Sequence, residues 1–201
     1  MNTQTLLSIV ADQREELLAN DYSELCPRPE ESQLDLKSNR AQVVIGVRRC
    51  GKSTLCEMFL KQKGIDFAYV NFDDDRMEDM KASDLDHLLE ALYMTYGEFK
   101  YLFLDEIQNI EGWPLFVNRL LRQKMHLFIT GSNSKLLSKE LSTHLTGRNN
   151  KVELYPFSYS EYCAMKKIDT TSLSTKAKGI RKSTLHEYLL QGGFPELFNE
   201  S

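Results

Sequence analysis

Several signals are missing from this 201-residue sequence, and each absence removes a class of protein. The four cysteines, Cys26, Cys50, Cys56 and Cys163, form no CxxC pair, and the Cys50 to Cys56 spacing has no histidine support for a metal site. Reduced thiols in a cytoplasmic protein are the expectation. No run approaches the roughly 18 apolar residues of a membrane span. The opening MNTQTLLSIVADQREELL carries charges early and has no long apolar centre, which argues against a signal peptide. Neither sign of charge dominates: 25 basic against 29 acidic side chains leave a net charge of −4, so no global basic field draws in nucleic acid. A local basic face stays open. There is no internal repeat and no low-complexity tract. What remains, 41% hydrophobic and 27% charged residues, suffices for one sizeable core.

Apolar positions recur at helical spacing over residues 3–20 (Leu6, Leu7, Val10, Leu17, Leu18), and Pro27 and Pro29 in CPRPEES stop that pattern. Residues 1–40 read as a helical extension ahead of the main domain. From Gln42 the pattern changes to short apolar strands alternating with helices. Val43 to Ile45 is a β-branched run ending at Gly46. STLCEMFLKQKG is a helix stopped by Gly64. DFAYVNFDD is a second strand. SDLDHLLEALYMTYG is a helix with Ser83 as N-cap and Gly97 after its end. YLFLDE is a third strand, WPLFVNRLLRQK a helix with Pro114 in its first turn, MHLFITGSN a fourth strand and KVELYPF a short fifth. The strands are apolar throughout rather than alternating, which describes a parallel sheet covered on both faces, an α/β fold in three layers. Residues 41–165 form this core. The polar stretch Lys166 to Thr184 reads as a surface loop or linker, with the start of a helical C-terminal lid completing 166–201. In a parallel sheet ligands bind at the carboxyl ends of the strands, so the polar residues there are candidates for chemistry.

The stretch Gly46-Val47-Arg48-Arg49-Cys50-Gly51-Lys52-Ser53 matches GxxxxGK[ST] in full, follows a strand and opens a helix. Glycines let backbone N–H groups approach phosphate, and the helix N-terminus adds partial positive charge. Lys52 would reach the β- and γ-phosphates, and the Ser53 hydroxyl would ligate Mg²⁺. Thr54, the next residue, is counted with the nucleotide contacts. Arg48 and Arg49 would touch phosphate or a neighbouring subunit, or pair with surface acids. YLFLDE places Asp105 at the same sheet edge as a Mg²⁺ ligand, with Glu106 one residue further out to activate water. LFITGSN ends in Thr130, Ser132 and Asn133, of which Ser132 and Asn133 are the candidates for sensing the γ-phosphate or positioning the water. Arg148, in HLTGRNN, is a candidate to stabilise transition-state charge within the chain or from a neighbouring protomer. GGFPEL, Gly192 to Leu197, is turn chemistry and by itself says nothing of catalysis.

Taken together, IGVRRCGKSTL, LFLDEIQNIEGW, LFITGSNSKLL, LTGRNNKVELYPFSYSEY and GGFPEL resemble the successive motifs of the prokaryotic AAA-like P-loop ATPases, the archaeal-type, STAND-related group that joins an ATP-binding core to a C-terminal domain. The resemblance runs from about Leu6 to the end. It implies a P-loop NTPase core of the additional-strand, catalytic-glutamate type, in which the fourth strand lies between the first and third. It also implies Lys52 and Ser53 as the Walker A pair, Asp105 and Glu106 as the Walker B pair, Ser132 and Asn133 at the sensor-one position, and Arg148 as an arginine finger or sensor. It assigns Gln108 no role. Such proteins continue past GGFPE into a second domain, so the expectation is an ATPase core without that domain.

The expected function is that of a cytoplasmic domain that binds Mg-ATP and hydrolyses it slowly, switching contacts with a partner or attached domain. The alternatives are a non-hydrolysing nucleotide-binding module and a small-molecule P-loop kinase. A DNA-dependent motor is a further rival, weakened by the negative net charge. A homo-oligomer or protein partner and nucleic acid stay open as partners; a membrane is not expected.

Overall fold

The computed structural model describes residues 1–22, 25–132 and 145–198. In these, six α-helices surround a five-stranded sheet. The elements run α1 (Thr3–Ala19), β1 (Ala41–Gly46), α2 (Lys52–Gln62), β2 (Phe67–Asn71), α3 (Leu85–Tyr96), β3 (Tyr101–Asp105), α4 (Trp113–Arg122), β4 (His126–Ser132), β5 (Asn149–Leu154), α5 (Tyr159–Met165) and α6 (Thr175–Gln191). All strand pairs are parallel and the order is β2-β3-β4-β1-β5. β4 therefore separates β1 from β3, as the additional-strand arrangement requires. All five strands point the same way, so Gly46, Asp105 and Ser132 arrive at one edge.

Side-chain alternation along each strand builds two cores. Val43 and Ile45 of β1, Leu102 and Leu104 of β3 and Leu127 and Ile129 of β4 face one layer, where α1, α3 and α4 lie. Val44, Phe103 and Phe128 face the other, where α2 packs through Leu55, Cys56, Phe59 and Leu60. This is the three-layer arrangement, and it explains why the strand sequences are apolar without alternation: both faces are covered. Fully burying one side chain of this size stabilises by about 1.5–3 kcal/mol, so α4 is held firmly by Trp113, Phe116, Val117 and Leu120 in the first core.

The N-terminal helix is not separate from the core. Leu6 and Val10 of α1 are fully buried in the first cluster and Leu17 reaches the second. Gln13 ties α1 to the end of β2: its amide nitrogen donates to the Asn71 carbonyl at 3.0 Å and its oxygen accepts from the Asn71 N–H at 3.0 Å.

Two local expectations are corrected. Ser83 is not an N-cap; it sits inside a 3₁₀ turn, Ala82–Asp84, and the Asp84 carboxylate accepts from the Lys81 N–H at 3.0 Å before α3 begins. The polar stretch from Lys166 is a loop only to Ser174, whose hydroxyl caps α6 by accepting from the Ala177 N–H at 3.1 Å. Helix α6 was hidden because it has no apolar stripe; Thr184 is its one buried residue among those described, and Tyr188 fixes it against Tyr159 and Tyr162 of α5.

Candidate functional site

The loop after β1 is shaped by close packing beneath it. A Cβ on Gly46 would lie 2.2 Å from the Leu154 carbonyl oxygen and 2.7 Å from Cys50 Sγ, so only glycine fits where β1 meets β5. Gly51 has φ +93°, and Arg49, a residue with a Cβ, also lies in the left-handed region at φ +66°. Backbone strain of this kind persists where surrounding structure holds it and concentrates at functional sites. The Cys50 side chain points inward, fully buried, and burial raises its thiol pKa, so it is a structural residue rather than a nucleophile.

Helix α2 starts at Lys52, which buries its side chain to 4% exposure. Its Nζ lies 3.2 Å from Glu106 Oε1 and donates to the Val47 carbonyl at 3.3 Å. Ser53 Oγ donates to Asp105 Oδ1 at 2.9 Å. Residues 52 and 53 thus meet residues 105 and 106 side by side. Arg48 and Arg49 are paired as well, with Asp73 and Glu196, each at 3.1 Å. Every cation of the loop has a carboxylate partner.

The cleft around these groups has a volume of about 410 Å³. Its walls include Thr54, Asn71 and Asp73 and, from the far end of the chain, Pro195 and Glu196. A second cavity of about 860 Å³ adjoins it, sharing Gly51, Thr54 and Pro195, with Leu25, Leu55, Met58, Phe157 and Leu197 among its apolar walls.

The sequence model of the AAA domain matches residues 38–163. The chain belongs to the AAA domain family. Among curated relatives, an uncharacterized protein of Methanocaldococcus jannaschii is 39% identical over 167 residues, which is 82% of this chain and 38% of that protein. An uncharacterized protein of Haemophilus influenzae is 36% identical over 164 residues, 78% of this chain and 40% of that protein. The chain therefore spans about two fifths of the length of these relatives. Family membership makes it an AAA-like, nucleotide-binding ATPase domain in general class.

Among the described acids of the AAA domain, Asp105 is the most deeply placed, 3% exposed. It accepts from Ser53 and from Thr130 Oγ1, and the Tyr69 hydroxyl approaches its other oxygen at 3.5 Å. Burial is the main reason its carboxyl is pushed up from 3.8 to about 6, partly offset by the hydrogen bonds from Thr130 and Ser53. A buried carboxylate beside a hydroxyl, short of positive charge, is the donor set that a hard divalent cation such as Mg²⁺ satisfies. The fit has a thermodynamic consequence. The folded state binds this proton more tightly than the unfolded chain, so the Asp105 contribution to stability is most favourable below about pH 4 and declines as pH rises to about 6. At 1.36 kcal/mol per pKa unit the buried charge costs on the order of 3 kcal/mol at pH 7. Asp105→Asn is expected to melt several degrees above the parent at pH 7 without nucleotide or Mg²⁺, and to lose that advantage near pH 4. It should gain less than the parent from adding Mg²⁺ to ATP, since the carboxylate proposed to hold the cation is gone. Thermal denaturation across pH checks this; equal melting temperatures at pH 7 would refute the buried-charge account.

The sequence candidates separate into those that meet and those that do not. Gly46 and Val47 through Ser53, with Thr54, Asp105 and Glu106, surround the cleft or form its loop. Ser132 stands at the same edge, beside Gly46 in the parallel register. Asn133 lies outside the described residues. Arg148 is at the opposite edge: its carbonyl accepts from the N–H of Ala41, where β1 begins, and its guanidinium donates to Asn118 of α4 at 3.0 Å. Five strand steps of about 3.3 Å put roughly 16 Å between Ala41 and Gly46. Of the two roles left open for Arg148, within the chain or from a neighbouring protomer, this placement favours the second, because β1 runs away from it toward the cleft.

Three contributors were missed or given no role. Thr130 is fully buried, donates to Asp105 and accepts from the Glu106 N–H at 3.1 Å. The strand register was the signal: Leu104 pairs with Ile129, so the next residue of β4 stands beside Asp105. Gln108 donates through Nε2 to Glu106 Oε2 at 2.5 Å. GGFPEL returns to the loop because the Phe157 N–H donates to the Gly193 carbonyl at 2.7 Å, and a Cβ on Gly193 would strike the Phe157 oxygen at 2.2 Å. No described helix is long and apolar enough to cross a membrane.

Proposed function

We propose that this domain binds Mg-ATP and hydrolyses it, and that the change of nucleotide state moves the segment around Glu196. The observation that carries the reading is the meeting of Lys52 and Ser53 with Glu106 and Asp105 across the interposed strand β4. Lys52 and the backbone N–H groups of residues 47–53 hold the phosphates, and Arg48 and Arg49 exchange their carboxylate partners for phosphate oxygens. Ser53 and Asp105 hold Mg²⁺, which when bound neutralises developing charge on the β- and γ-phosphate oxygens. The apolar cavity beyond Gly51 and Thr54 takes the base and ribose. Glu106 accepts a proton from water as the water oxygen bonds to the γ-phosphorus. The bond to the bridging oxygen breaks and its electron pair leaves on ADP. Arg148 contributes from a neighbouring copy, because its own cleft lies beyond its reach.

The Arg49–Glu196 pair supports the switching part. Its partners are mostly exposed and the pair itself is worth little, about 0–1 kcal/mol, so a bound phosphate readily takes Arg49 over. Binding of a fluorescent ATP analogue tests the cradle. Lys52→Ala is expected to weaken binding at least tenfold through loss of the buried cation. Parental affinity in that variant would sink the assignment.

A further inference from the structure

We propose that Gln108 is a positioning residue for hydrolysis: its amide holds one oxygen of Glu106 while Lys52 holds the other, and incoming phosphate, by drawing Lys52 away, leaves the glutamate oriented on Gln108 alone. The inference rests on the reading of Glu106 given above and deepens it.

The geometry begins in the backbone. Glu106 is in the left-handed region, φ +54° and ψ +38°, uncommon for a residue with a side chain. Its N–H is taken by Thr130. The chain then makes one 3₁₀ turn, Ile107–Asn109, anchored at both ends: Ile107 is fully buried in the core, and Asn109 Nδ2 donates to the Phe72 carbonyl at 3.1 Å. Between these anchors Gln108 has a fixed place from which to reach back to Glu106 Oε2 at 2.5 Å.

The state of that amide tells which group fixes it. Gln108 Oε1 is buried and has no hydrogen-bond partner among the described residues. An unsatisfied buried acceptor costs about 1–3 kcal/mol. Turning the amide over would place this oxygen against a carboxylate, so the donor stays on Glu106 and the acceptor is left unpaired. A side chain selected for packing alone would do better as an apolar group of the same shape. The amide at this position is accounted for by its bond to Glu106.

With Lys52 Nζ at 3.2 Å from Oε1 and Gln108 Nε2 at 2.5 Å from Oε2, both oxygens of Glu106 are engaged. Neither is poised to take a proton from water. Phosphate competes for Lys52, the more strongly charged of the two donors, and frees Oε1. Gln108 has no such competitor and keeps Oε2. Oε1 then receives the water proton as the water oxygen attacks phosphorus and ADP departs with the bridging electron pair. Turnover is in this way tied to phosphate occupancy.

Steady-state hydrolysis by the full chain, with fluorescent-ATP binding alongside, tests the proposal. Gln108→Met keeps an unbranched side chain and removes the donor. It is expected to lower kcat tenfold to a hundredfold, as a displaced reacting group does, while KM and nucleotide affinity stay within twofold. The double variant Glu106→Gln/Gln108→Met should hydrolyse within twofold of Glu106→Gln alone, since a residue acting through Glu106 has nothing further to lose. Gln108→Asn, which keeps the amide but is one methylene too short to reach Glu106, serves if the methionine variant folds poorly, and is expected to lose the same kcat. Parental kcat in these variants, or an equal additional loss in the Glu106→Gln background, overturns the positioning role. If Glu106→Gln itself runs at the parental rate, the reading of Glu106 fails and this one with it. If Glu106→Gln is inactive and Gln108→Met is not, the assignment of Gln108 alone fails.

Discussion

Glu106→Gln is expected to bind ATP as well as the parent and to hydrolyse it 10²- to 10⁴-fold more slowly, the range a positioned general base contributes. Glutamine is nearly isosteric and retains an oxygen, but it accepts a proton far less readily than a carboxylate. Binding should survive because the proposed phosphate contacts are those of the loop of residues 47–53 and Lys52. It should even tighten slightly, since the substitution removes the carboxylate that holds Lys52 at 3.2 Å and competes with phosphate for it. Release of phosphate at saturating ATP, set beside fluorescent-nucleotide binding, separates these effects. Turnover at the parental rate would leave the domain without its proposed base.

The second large effect concerns Arg148, and it depends on two copies meeting. Arg148→Ala is expected to lower kcat by 10³-fold or more with ATP binding unchanged, the scale on which an arginine supplied to a transferring phosphoryl group acts. Because Arg148 lies at the edge of the sheet where β1 begins, its effect must be exerted on another chain's cleft. Two consequences follow. Specific activity of the parent should rise with protein concentration. Mixing Arg148→Ala with Lys52→Ala, each inactive alone, should restore hydrolysis, because an intact nucleotide cleft of the first meets an intact arginine of the second. Activity independent of concentration, with no recovery on mixing, would remove Arg148 from the reaction.

The parts of this domain that were legible in the sequence are those with short-range signatures. The loop from Gly46 to Ser53 declares itself through glycine spacing, and the strands through unbroken apolar runs that a two-sided sheet demands. Asp105 and Glu106 stand out because an apolar strand ends in them. The parts that were illegible depend on long-range registration. Thr130 looks like any other strand threonine until the β3–β4 register sets it beside Asp105. Gln108 sat in plain view within DEIQ, yet its bond to Glu106 requires a left-handed backbone at residue 106 that no local pattern announces. Arg148 is a case where the sequence left two roles open. Its motif pointed to transition-state charge without saying whose, and the strand direction puts it at the end of β1 away from its own cleft. The first half of helix α6 reads as loop because periodicity reports a buried stripe, and this helix buries almost none of its surface.

Arg28 carries a consequence for where this domain can be cut. Its side chain, 8% exposed, spans three distant segments: it donates to the carbonyls of Cys50 at 3.3 Å and Tyr155 at 2.6 Å, and its Nε lies 2.7 Å from Glu161 Oε1. The guanidinium also stacks 4.7 Å from the centre of the Phe157 ring. One of those carbonyls belongs to the phosphate loop itself. The family match begins at residue 38 and stops at residue 163, which leaves out Arg28, the Gly193 tie to Phe157 and the Glu196 partner of Arg49. A fragment trimmed to those limits would keep the loop of residues 46–53 and the Asp105–Glu106 pair but lose GGFPEL and the brace under the loop, so the boundaries of the shared sequence are narrower than the boundaries of the working unit.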